Sequence, residues 1–199
     1  MSRTKWFVWI ACLWTLLAPA CHRQEDGPGG DEPAVPEISS TPYLSDADVT
    51  FYRRFEPEHE GVDLAALRDI PIRAACSGTF RKELYYHPTS QRWQVNTGIW
   101  VGDYSVDGLF EPGAQVSQAT GQAQFDALVA DNTQVRAGEL LGTLLLAPGN
   151  AFAIFHFGVH RGTTGAAECP LQYCSAAVRT QLQSLAQRDH PGWEVCVGQ

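Results

Sequence analysis

Three side chains in this sequence have the types and spacing of a metal-ligand set. His59 and Asp63 lie four positions apart in His59-Glu60-Gly61-Val62-Asp63, and a second imidazole, His156, lies far downstream in Ile154-Phe155-His156-Phe157-Gly158-Val159. Two imidazoles and one carboxylate are N and O ligands suited to zinc, and three protein ligands leave one coordination position for water. A catalytic zinc centre has that ligand count. A His-x-x-x-Asp match alone is common, and an isolated strand histidine is ordinarily a core residue bonded to a backbone carbonyl. The runs around the three residues make the match specific. Glu60 invites comparison with His-Glu-x-x-His enzymes, but no second histidine stands at the required spacing, so it reads as a solvated acid beside the site.

The segment Arg54-Phe55-Glu56-Pro57-Glu58-His59-Glu60-Gly61-Val62-Asp63-Leu64, followed by Ile70-Pro71-Ile72-Arg73-Ala74-Ala75-Cys76-Ser77-Gly78-Thr79-Phe80, resembles the opening of the lysostaphin/LytM family of zinc metallo-endopeptidases (metallopeptidase family 23). In that family a His-x-Gly-x-Asp run precedes an apolar-Ala-x-x-x-Gly strand and turn. Val135-Arg136-Ala137-Gly138-Glu139-Leu140-Leu141-Gly142-Thr143 is similar to the family's Val-x-x-Gly-x-x-(Ile/Leu)-Gly hairpin, and Phe155-His156-Phe157-Gly158-Val159 to the end of its His-Leu-His-Phe-Glu-Val strand. The runs occur in the family's order over residues 50 to 175.

The resemblance places the family's zinc ligands on His59, Asp63 and His156, and implies a peptidoglycan endopeptidase fold. The family also uses two non-ligand histidines, and on the natural register those positions are Ala127 and Ile154. Positioned imidazoles are worth about 10² to 10⁴ in rate as acids and bases, and oxyanion stabilisation is of similar size. Their replacement implies weak or absent turnover, with a binding or regulatory role for a peptidoglycan peptide or a partner cell-wall hydrolase. The alternative is an active endopeptidase in which another imidazole serves. His160 shares the strand face of His156 but lies about 13 Å along the chain, and His87 is the other candidate. A third alternative is a metal-free structural adaptor, because the hairpin run is also similar to biotinyl/lipoyl modules. Carrier versions need a lysine in an exposed turn, and Lys82 is the sole lysine after Lys5.

The elements that must position these residues begin after a leader. Residues 1–20 carry Arg3 and Lys5, an apolar run from Trp6 to Leu17, then Ala18-Pro19-Ala20, which reads as a secretory signal. Cys21 follows directly and is a candidate lipidation site, so the chain is expected to be exported, either as a lipoprotein of the bacterial cell envelope (periplasm or outer membrane) or freely secreted. Residues 21–43, with Gly27-Pro28-Gly29-Gly30 and further prolines, read as a linker, and 44–199 as one domain. The net charge is −8 with Arg3 and Lys5 included. Acidity of that size argues against nucleic acid and against electrostatic adhesion to anionic lipid, leaving the N-terminal lipid as the membrane contact.

Cys76, Cys169, Cys174 and Cys196 are an even number in an exported domain and predict two disulfides with three possible connectivities. Short alternating or aromatic segments, namely Thr79-Phe80, Glu83 to Tyr86, Trp93 to Val101, Leu140 to Leu146 and Ala151 to Val159, are separated by Gly, Pro and Asn turn signals. The expected fold is mainly β, an antiparallel sheet or sandwich of the lysostaphin/LytM (duplicated hybrid motif) type. One C-terminal helix is expected from Ser175 to Gln187, with Ser175 as its N-cap.

Overall fold

A computed structural model describes residues 34–162, 165 and 167–198. The expected signal over 1–20, Cys21 and the linker as far as residue 33 lie outside the described residues. The elements run β1 (Thr50–Arg53), β2 (Val62–Ala66), β3 (Ile70–Arg73), β4 (Gly78–His87), β5 (Arg92–Val101), β6 (Tyr104–Glu111), α1 (Gln118–Asp126), β7 (Thr133–Val135), β8 (Leu140–Leu144), β9 (Ala153–Arg161), β10 (Ala167–Glu168) and α2 (Ala176–Asp189). Among the described residues no helix is long and apolar enough to cross a membrane.

The main sheet is antiparallel in the order β1-β2-β9-β6-β5-β4-β7, with β10 also paired to β9. This is the mainly-β architecture expected from the alternating segments. Side chains alternate across a sheet, and one face carries Val62, Leu64, Phe80, Val95, Ile99, Val106, Phe110, Phe155, Phe157 and Val159, all buried in the core. β3 and β8 pair as a second, two-stranded sheet. Its Leu141 meets Ile99, Phe155 and Phe157 around a small cavity, so the second sheet covers the apolar face.

The other face presents a row that is polar except at Leu109. Cα pairing runs Asp63 to His156, His156 to Leu109, Leu109 to Asn96 and Asn96 to Glu83, crossing β2, β9, β6, β5 and β4 in turn. The next pairs along place Ala65 beside Ile154 and Ile154 beside Glu111. Register fixes these neighbours because a one-residue slip would exchange the two faces.

α2 starts at the expected cap, where the Ser175 hydroxyl accepts from the Val178 N–H, and it buries Val178, Leu182, Leu185 and Ala186. α1 is an additional helix. Its buried residues are Gly121 and Gln124, so it has no apolar stripe beyond Phe125, which packs against the core; the Gln124 amide donates to the Thr143 carbonyl and accepts from the Leu145 N–H, both at 2.8 Å.

Two expectations need correction. The described part of the linker is built into the domain: Ile38 and Tyr43 are buried, and Ile38 bonds through its backbone to Tyr173 and Ser175. Among the described cysteines there is one disulfide, Cys169–Cys196, while Cys76 and Cys174 are free and buried. Cys174 instead donates its S–H to the Pro170 carbonyl.

Candidate metal centre

His59 sits in the connection between β1 and β2, held by a tight turn in which Glu56 and His59 exchange backbone hydrogen bonds of 3.1 and 2.8 Å. Its Nδ1–H donates to the Arg54 carbonyl at 2.9 Å. That bond occupies Nδ1 and leaves Nε2 turned inward towards Asp63, the usual arrangement around a ligating imidazole. Asp63 on β2 and His156 on β9 face each other as direct ladder partners.

The three side chains converge. Asp63 Oδ2 lies 3.1 Å from His59 Nε2, and Asp63 Oδ1 lies 2.8 Å from His156 Nδ1. One ligand atom from each residue falls within 4.8 Å of the others. The imidazoles meet edge to face with ring centroids 5.0 Å apart. Two nitrogens and a carboxylate, largely withdrawn from solvent, form a donor set that fits zinc.

Burial raises the Asp63 carboxyl, but hydrogen bonds from His156 and His59 outweigh it and hold the group down at about 2. Burial opposes charging of His59, yet Asp63 and the Arg54 carbonyl together lift that imidazole above its ordinary value. Asp63 is therefore an anion shared between two rings, the charge that a divalent ion would take over.

Gly61 explains the spacing of the motif. A Cβ there would stand 2.3 Å from His156 Nε2 and 2.7 Å from the Phe157 carbonyl oxygen, so only glycine lets the β1–β2 connection pass over the second imidazole. Gly158 is similarly tight, since its Cβ would lie 2.8 Å from the Glu60 carbonyl oxygen.

The other candidates are placed elsewhere. His160 bonds through Nδ1 to Asp107 and has Glu60 3.8 Å from its Nε2. The Asp107 hydrogen bond lifts its pKa against the effect of burial. His87 ends β4, where its Nδ1 accepts from the Ser90 N–H at 3.2 Å. Ala127 caps α1, and its carbonyl accepts from Thr143 of β8. Lys82 lies within β4 with its ammonium on the Phe125 and Leu128 carbonyls, not in an exposed turn.

Sequence reasoning missed β6 entirely, and with it Asp107 and Glu111. The signal was present as alternation, with Tyr104, Val106 and Phe110 inward and Ser105, Asp107, Leu109 and Glu111 outward, but Gly108 interrupts the run.

No protein-family model and no curated protein sequence matches the chain. Solved structures do. One is the catalytic domain of a mutant of the prophage-encoded M23 protein EnpA from Enterococcus faecalis, 16% identical with a TM-score of 0.46, covering 67% of this chain and 95% of that one. A second is the antimicrobial peptidase lysostaphin from Staphylococcus simulans, at 17% identity and a TM-score of 0.42, covering 68% of this chain and 55% of the other. The solution structure of lysostaphin gives 14% and 0.44 over 80% and 59%. This chain thus spans under two thirds of either lysostaphin chain.

Proposed function

We propose that this chain is an exported, zinc-binding, peptidase-like domain of the lysostaphin/LytM kind, acting on peptidoglycan peptides with weak turnover and tethered through a lipid on Cys21. The observation that carries the reading is the convergence of His59, Asp63 and His156 within 4.8 Å from the β1–β2 connection, β2 and β9, with His59 Nδ1 occupied by the Arg54 carbonyl so that Nε2 faces the cluster. The order of the sequence runs around these residues supports the same reading.

Zinc held there would polarise a peptide carbonyl and lower the pKa of bound water to about 7. The chain's own residues supply the rest. Arg54 fixes the His59 ring through its carbonyl, Asp63 provides the anion between the imidazoles, and Gly61 leaves room for His156. Turnover is weak because Ala127 and Ile154 occupy the positions at which the family resemblance places imidazoles. Each missing proton-transfer group is worth about 10² to 10⁴ in rate. A peptidoglycan peptide or a partner cell-wall hydrolase is the ligand class this implies.

The test is release of soluble peptides from purified peptidoglycan by the zinc-loaded protein, beside an Ala127→His/Ile154→His variant. Slow release that a chelator abolishes, with faster release by the variant, is the expected result. Release untouched by chelator would remove the metal from the account.

A further inference from the structure

Ile154 is not the end of the story at its position. Across the β6–β9 ladder its Cα partner is Glu111, one pair beyond the Leu109–His156 pair and on the same sheet face as the ligand cluster. Diagonal neighbours such as Glu111 and His156 lie about 7–8 Å apart, within reach of a long side chain. Glu111 is 8% exposed and paired with Arg92 at 2.5 Å. It lines a cavity of about 230 Å³ together with Tyr52, Arg92, Phe152 and Ile154. Tyr52 and Phe152 pack against each other there at 5.4 Å. A carboxylate thus opens on a partly apolar cavity beside the position where the family pattern calls for an imidazole.

The charged groups around Glu111 come from every neighbouring strand: Arg92 of β5, His87 of β4, His156 of β9 and Asp63 of β2. Burial pushes the Glu111 carboxyl up and Asp63 adds to this, against Arg92, His156 and His87. A carboxylate lifted towards neutrality is a better proton acceptor at physiological pH than an ordinary one. Arg92 acts as a positioning residue, holding the carboxylate in the cavity.

We propose that Glu111 is the proton acceptor of this site, supplying from β6 what a histidine at position 154 would supply from β9. The inference rests on the metal-site reading above. In the step it describes, the attacking water gives one proton to Glu111 as its oxygen bonds to the peptide carbonyl carbon. When the C–N bond breaks, Glu111 returns that proton to the leaving nitrogen, which departs as the amine while the new carboxyl group stays on the other product.

A buried Arg–Glu pair can also serve only to join strands. The two are separated by comparing Glu111→Gln with the parent in zinc stoichiometry, thermal midpoint, and kcat and KM for peptide release across pH. We expect Glu111→Gln to keep one zinc per chain and a KM within about twofold. Its kcat should fall at least about 100-fold, in line with loss of a general base, and the acid limb of the pH profile should shift to the limb set by metal release alone. Adding Ile154→His to Glu111→Gln should restore release. Should Glu111→Gln fail to fold, Glu111→Asp takes its place, with kcat lowered at full zinc occupancy as the expected result.

A Glu111→Gln protein whose kcat stays within threefold of the parent overturns the proposal. So does a parent that binds one zinc and releases no peptide, an outcome that leaves the metal site standing. Absence of zinc binding would instead remove the reading beneath it.

Discussion

At the scale of single residues, Asp63 is the pivot, because each of its oxygens engages a different imidazole and both neighbours depend on it for orientation. Gly61 is the least replaceable of the surrounding residues. Gly61→Ala would drive a methyl group to 2.3 Å from His156 Nε2, a contact too short to survive without movement of the ring or the backbone. Overpacking of this kind costs about 1–3 kcal/mol, and displacing the support of a ligating histidine typically weakens metal affinity by about 10- to 100-fold. Competition with a chromophoric chelator should show zinc affinity falling by that factor in Gly61→Ala. Unchanged affinity would mean that the space left by Gly61 does not position His156 for the metal. The candidate triad was legible from the chain because the runs around His59, Asp63 and His156 resemble those of the lysostaphin/LytM family in the same order, whereas the spacing alone is common. Glu111 was not, since a lone acid at a strand end carries no signal until the register shows what it faces.

At the scale of elements, β9 does most of the positioning, pairing with both β2 and β6 and so bringing Asp63 and Glu111 to either side of the His156 face. β4, β5, β9 and α2 could be read in the sequence because their aromatic alternation or apolar spacing matches one period. α1 could not, because its attachment to the second sheet depends on a side-chain amide and not on an apolar stripe. That polar attachment is testable. Gln124→Ala would leave the half-buried Leu145 N–H and the Thr143 carbonyl without their partner. An unmet pair of this kind costs about 1–3 kcal/mol, to be read as a lowered midpoint in urea unfolding. A midpoint unchanged from the parent would show that water replaces the amide there.

At the scale of the whole molecule, the domain is closed by contacts between distant parts of the chain. Ile38 is held by backbone bonds to Tyr173 and Ser175, and the Cys169–Cys196 bridge spans a separation of 27 residues near the C-terminus. Loss of a bridge closing a loop of that length lowers stability by about 3.5 kcal/mol on the chain-entropy estimate. Burial pushes the thiols of Cys76 and Cys174 up to about 12, so both stay protonated at neutral pH. Alkylation of the unreduced native protein should therefore leave these two cysteines unmodified, with both reacting only on unfolding; rapid labelling of either in the native state would contradict the burial described. An even cysteine count pointed to two bridges because pairing depends on which segments meet, and that is a property of the folded chain.

His59, Asp63 and His156 must together hold zinc for the proposed chemistry to occur. The most direct measurement is calorimetric titration of the metal-stripped protein with zinc, beside His156→Ala. One zinc per chain is expected, with affinity lowered by more than about 100-fold in the variant, since losing a ligand should exceed the effect of losing a ligand's support. No stoichiometric binding, or binding that His156→Ala leaves unchanged, would contradict it.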